Sequence, residues 1–203
     1  MKRVGLVLLM LVIGLGTAMA QAPVGDSTVY FVTYYSNNVT GAPDATVRVV
    51  NDGSAGSFSG GDLYADFYLF DTSEELITCC SCQVTPDGLL SESVKAMTKT
   101  AIHGAPAAGV IKLISSSNGF FPSRGNPEPG PEVTAAGLRP WATHIQSTAN
   151  RYAAGPAPYS QTETAFADSN LTSGEQGLLE LLCWIDIVES GSPCPCTPED
   201  YDF

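Results

Sequence analysis

Leu63-Tyr64-Ala65-Asp66-Phe67-Tyr68-Leu69-Phe70 decides the fold class. The run is rich in the aromatic residues that strands favour, and it is apolar at odd and even positions alike, apart from Asp66. A strand with one wet face would alternate. This pattern predicts a strand covered on both sides, as in the centre of a sandwich. Just downstream, Val84-Thr85-Pro86-Asp87-Gly88-Leu89 is the clearest turn in the chain. Proline sets φ at the first corner, and glycine accepts the positive φ that follows. The flanks, residues 82–85 and 89–94, are expected to pair as a hairpin.

Further out, residues 28–35, 46–50, 110–114, 138–146 and 161–167 read as short strands separated by Gly, Asn and Pro signals. Pro140 is expected to force the fourth of these to an edge or a bulge. The sum predicts a mainly β fold, an immunoglobulin-like β-sandwich with one C-terminal helix. Composition agrees: Gly 20 and Pro 14 in 203 residues suit a loop-rich β chain better than a helical bundle, and 44% hydrophobic residues are enough for a packed core.

Lys2 and Arg3, the apolar run 5–16 and Ala18-Met19-Ala20 have the three parts of a secretory signal peptide. The apolar run is shorter than the ~20 residues of a membrane span. The expected organisation is a signal peptide at 1–20 and a single domain at 21–203, with a helix at about 172–190 and a Cys-containing tail. The expected location is secreted, extracellular or periplasmic, with no membrane insertion after cleavage. Lys+Arg 9 against Asp+Glu 21 gives a net charge of −12, and loss of Lys2 and Arg3 takes it to −14. Such a surface argues against nucleic-acid binding.

The helix is announced by Thr172 as N-cap with Glu175 three residues on, and by Gly191 and Pro193 as stops. Leu178, Leu181, Leu182, Ile185 and Val188 fall on one broad face, which is expected to lie on the sandwich. Leu179, Cys183 and Ile187 form a narrower stripe, expected to face outward under a cover of Cys-bearing segments.

Six cysteines form two clusters: Cys79, Cys80 and Cys82, then Cys183, Cys194 and Cys196. An even count in an exported chain reads as disulfides. Neighbouring cysteines are too close for an unstrained bridge, so the two clusters are expected to cross-link, with the connectivity left open. The competing reading is a thiolate site for copper or zinc, or a redox centre. Its spacing does not match a standard zinc module, and an oxidising compartment works against it.

Catalytic patterns are sparse. No H-E-x-x-H, G-x-S-x-G or phosphate loop occurs. Asp71-Thr72-Ser73 resembles an aspartic-peptidase turn, but Ser73 stands where glycine is needed, and a capping Asp is the simpler reading. His103 and His144 lack recognisable partners in sequence. Asp52, Asp62, Asp66, Asp71, Glu74 and Glu75 crowd together without calcium-loop spacing, so a solvated acidic face is preferred over calcium. Tyr30, Tyr34, Tyr35, Tyr64, Tyr68 and Trp141 suggest either core aromatics or a sugar-stacking platform. No catalytic, cofactor or metal residue is assigned.

The run 70–75, the C-C-x-C at 79–82, the turn 84–89, Gly109-Val110-Ile111-Lys112, residues 137–146 and Cys183 before a terminal C-x-C together resemble a group of secreted bacterial proteins. The resemblance implies export and carries no reaction or ligand. The expected function is therefore a non-catalytic structural or binding module of the cell surface or extracellular space, with a protein or polysaccharide partner. A Cys-cluster metal or redox protein, and a hydrolase whose site is not visible in sequence, are the alternatives.

Overall fold

The computed structural model describes residues 28–36, 41–55, 61–98, 106–119, 132–148, 158–190 and 196. The segment expected to be a signal peptide, residues 1–20, and His103, Gly191, Pro193 and Cys194 lie outside the described residues. The described elements are β1 (Tyr30–Ser36), β2 (Thr46–Asn51), β3 (Leu63–Asp71), β4 (Leu76–Val84), β5 (Leu89–Ser93), α1 (Val94–Met97), β6 (Ala108–Ser116), β7 (Leu138–Ser147), β8 (Tyr159–Ala165), β9 (Ala167–Asp168) and α2 (Ser173–Ser190). The protein is mainly β, with two antiparallel sheets of order β4-β3-β6-β1-β9 and β5-β2-β7-β8.

β3 pairs with β4 on one side and β6 on the other. Its odd positions Leu63, Ala65, Phe67 and Leu69 enter a core shared with Val47, Val49, Leu90, Leu138 and Ala142 of the second sheet. Its even positions Tyr68 and Phe70 belong to a second core with Leu179 and Cys183 of α2. The two-faced apolar pattern thus has a physical cause: the other sheet covers one face and the helix covers the opposite one.

The expected hairpin across Pro86 does not form. β4 pairs with β3 and β5 pairs with β2, in different sheets. The turn itself is present, closed by Gly88 N–H donating to Thr85 O at 2.8 Å. Asp87, rather than Gly88, takes the positive φ, at 61°. Gly88 is needed for closeness, since a Cβ there would lie 2.7 Å from Thr85 O. Asn51, fully buried at the end of β2, holds the corner. Its side-chain amide donates to Gly61 O and Val84 O, at 2.8 and 2.9 Å, while its backbone exchanges bonds with Asp87 and Gly88. A turn reverses the chain locally; which strand it then meets is decided by longer-range packing.

Pro140 is also placed differently from expectation. β7 is an interior strand, and Pro140 pairs with Val49 of β2. Its carbonyl accepts from Phe166 N–H, so its nitrogen points the same way. That side is already past the last β7–β8 pair, Trp141 with Ala165, and the β2 ladder loses no bond.

α2 starts as its sequence predicts. Thr172 Oγ1 accepts from Glu175 N–H at 3.1 Å, and Thr172 O accepts from Gln176 N–H at 2.9 Å. The Glu175 carboxylate does not close a capping box. It accepts from Lys112 Nζ at 2.5 Å and Tyr30 O–H at 3.0 Å on the sheet below.

Candidate functional site

A strand has a side-chain period of two, so C-C-x-C on β4 must send its cysteines to both faces. Cys79 points to the helix side, and Cys80 and Cys82 to the inter-sheet side. Cys79 is bonded to Cys183 of α2, with Cα atoms 5.6 Å apart. Cys82 is bonded to Cys196, with Cα atoms 5.5 Å apart. Cys80 is likewise in a disulfide. β4 is an edge strand, so an inward-facing cysteine on it can be reached by Cys196, which lies outside the sheet. No described cysteine is left as a thiol, and no described group of three or more His, Cys, Asp or Glu is placed to hold a metal ion.

The Cys79–Cys183 bridge decides how α2 sits. The stripe expected to face outward is the one on the sheet: Leu179 is 0% exposed and Cys183 2%, with Leu182 and Ile187 packed beside them. The broad stripe expected to be buried is outside, with Leu178 49%, Leu181 52%, Ile185 39% and Val188 63% exposed. Trp184, at 42%, joins them. The reason is geometric. Cys183 must face Cys79, and the residues four before and after it on the helix follow.

The docked side of α2 is finished by polar contacts. Lys112 is hydrogen-bonded and charge-paired with Glu175, and its Nζ lies 4.9 Å from the centre of the Phe70 ring. Burial pushes the Glu175 carboxyl up, but the hydrogen bond and charge of Lys112, with the Tyr30 hydroxyl, outweigh it and hold the carboxyl below its ordinary range. Further along, Glu132 N–H donates to Glu180 Oε1 at 3.2 Å and Gln176 Nε2 donates to Glu132 O at 2.9 Å. The Glu132 side chain turns inward, 5% exposed, and accepts from Tyr68 O–H at 2.5 Å. Asp66, also buried, accepts from Ser116 O–H nearby. Burial and the Asp66 charge push the Glu132 carboxyl up to about 9, which keeps it protonated at neutral pH. The second carboxyl oxygen of Glu132 has no hydrogen-bond partner.

Between α2 and the sheet runs a groove of about 280 Å³, walled by Leu178, Leu182, Phe70 and Val110, with Asp71 and Glu74 also lining it. It continues the exposed apolar face. A wider cleft of about 520 Å³ lies beyond it, lined by Tyr34, Thr72, Gly109 and Gln146 among others.

The remaining sequence candidates are dispersed. Asp71 caps the β3–β4 turn, accepting from Ser73 N–H at 2.7 Å and Glu75 N–H at 3.0 Å. Asp52 pairs with Arg139, Asp62 accepts from Gln83, and Asp66 is buried under Glu132, so the carboxylates do not converge. His144 is fully buried, stacked on Tyr34 with ring centres 4.0 Å apart, and its Nε2 lies 2.6 Å from Thr164 Oγ1. Burial pulls its pKa down. Tyr30, Tyr35 and Tyr68 are core residues, and Tyr34 is the one clearly exposed ring of the six aromatics, so they make no shared platform.

The chain matches no protein-family model, no curated protein and no solved structure. Glu132 escapes the sequence reading because it falls between the expected strands 110–114 and 138–146, in a stretch rich in Gly, Asn and Pro with no periodicity to mark a buried position. The sequence reading misassigns the face of α2, although two signals are available together: the period of two in C-C-x-C, and the place of Cys183 on the narrow stripe.

Proposed function

We propose that this chain is an exported, non-catalytic binding module of the cell surface or extracellular space, built on an immunoglobulin-like sandwich, and that its binding surface is the outer face of α2. One observation carries the reading. A disulfide holds the smaller apolar stripe of the helix on the sheet and leaves Leu178, Leu181, Trp184, Ile185 and Val188 in solvent. A contiguous exposed apolar patch on a disulfide-bonded chain is the usual mark of an interaction surface. The disulfides are compatible with an oxidising compartment, and no described helix is long and apolar enough to cross a membrane.

Hydroxyl-radical footprinting tests it. Trp184 and its apolar neighbours should label strongly in purified protein and be protected in the secreted fraction where the protein meets its partner. Equal labelling in both settings would sink the reading.

A further inference from the structure

The exposed residues of α2 have a spacing of their own. Leu178, Leu181, Ile185 and Val188 are three, four and three apart, the seam of a helix that packs along another helix. Trp184 borders the seam, and a Cβ at Gly177 would meet nothing within 4 Å beyond its own helix backbone, so a second backbone can approach closely. Beside the seam, the groove of about 280 Å³ is large enough for one bulky apolar side chain, and its walls Leu178, Leu182, Phe70 and Val110 are apolar.

The charges select the occupant. Every charged residue of α2 is acidic, and two of them, Glu175 and Glu180, are engaged on the docked side. Asp71 and Glu74 are among the residues that line the groove. Among the described residues the single cation there, Lys112, is paired with Glu175. A second copy of this chain would set acid against acid, and so would an anionic lipid surface.

We propose that the outer face of α2 and the adjoining groove receive an amphipathic helix of a partner protein, with an apolar stripe flanked by lysine or arginine. The apolar stripe covers Leu181, Ile185 and Val188, one large side chain fills the groove, and the flanking cations meet Asp71 and Glu74. The inference rests on the reading of α2 as the binding face and adds the chemistry of the partner.

The test uses the full secreted chain with its disulfides intact. The probe is a synthetic helix-patterned peptide of roughly 18 residues made of leucine and lysine, beside a matched leucine–glutamate peptide. The lysine peptide should bind at least about tenfold more tightly, weaken with added salt, and shift Trp184 emission to the blue. The emission shift should vanish in Trp184→Phe. A Leu181→Gln, Ile185→Gln variant, altered only at exposed positions, should unfold at the same temperature and lose the binding. Equal affinity for both peptides, lost in the variant, would overturn the cationic partner and leave α2 as the binding face. Unchanged binding of the lysine peptide to the variant would overturn both. Self-association, or binding to neutral phospholipid vesicles, that is abolished in the variant would replace the partner helix with a second copy or a lipid surface.

Discussion

The two sides of α2 differ in a way opposite to their composition. The side on the sheet has Leu179, Leu182, Cys183 and Ile187; the side in water has Leu178, Leu181, Trp184, Ile185 and Val188. Burial of apolar area alone, at roughly 25 cal/mol per Å², would favour turning the helix over. The Cys79–Cys183 bridge and the contacts of Glu175 and Glu180 hold the helix the other way. The lesson is that apolar periodicity identifies faces, while a cross-link ranks them, and the face left over is available for recognition.

The sharpest way to break the comparison is to remove the bridge. Cys79→Ala with Cys183→Ala should cost about 2–5 kcal/mol, because the closed loop has a sequence separation of 104 residues. The bond between Cys82 and Cys196 spans nearly the same stretch, so the loss in the chain-entropy model should be less than for an isolated bridge. Thermal unfolding under non-reducing conditions reads this directly. The released helix is then able to roll, so footprinting should show reduced labelling at Leu181 and Ile185. Unchanged labelling would mean that packing alone ranks the faces.

Next come paired truncations on the two sides. Leu179→Ala opens a cavity beside Tyr68 and Ile114 and should cost about 2–4 kcal/mol. Leu181→Ala, half exposed, should change stability by less than about 0.5 kcal/mol. Similar losses in denaturant unfolding would show that the outer side is covered by something in the folded monomer.

These expectations also show what the residues could and could not say in sequence. The two-faced apolar run of β3, the Thr172 cap and the mainly β class were legible because each depends on neighbours within a few residues. The hairpin at Pro86–Gly88 was misread because turn chemistry is local, whereas membership of a sheet is not: β4 and β5 part at Asn51. Pro140 was misread because its tolerance depends on where a neighbouring strand stops pairing. The faces of α2 are inverted relative to their apolar area because the alternation of Cys79 against Cys80 and Cys82, which fixes where Cys183 points, outranks it.

A smaller effect sits at the far end of the docked side. Glu132 is buried with Tyr68, Asp66 and Glu180 around it, and its folded pKa of about 9 lies above its ordinary value near 4.5. A raised carboxyl binds more protons folded than unfolded, so its contribution is complete below the unfolded value and is lost as pH rises through the folded one. Glu132→Gln mimics the neutral form. It should stabilise the protein at pH 8 relative to wild type, by about 1–3 kcal/mol, and flatten the alkaline decline of the melting temperature. An unaltered alkaline limb would show that Glu132 is ionised or solvated in the native protein.

The smallest effect concerns Glu175, and it has the opposite sign. Lys112 and Tyr30 hold its folded pKa below the ordinary value, so folding favours its charged form. Its contribution is present above the unfolded value near 4.5 and is lost as pH falls through the lower folded one. Both members of the Lys112–Glu175 pair are about a quarter exposed, so solvent screens the pair and its worth should stay below about 1 kcal/mol. Lys112→Met keeps an apolar stem over Phe70 and removes the charge. In that variant the acid limb below pH 5 should become shallower while the alkaline limb set by Glu132 remains. The same substitution removes a cation from the groove and should tighten binding of the leucine–lysine peptide, slightly and more at low salt. If Lys112→Met weakens that binding instead, the groove selects an acidic or neutral partner, and the charge argument for the outer face fails even though the packing argument for the inner one stands.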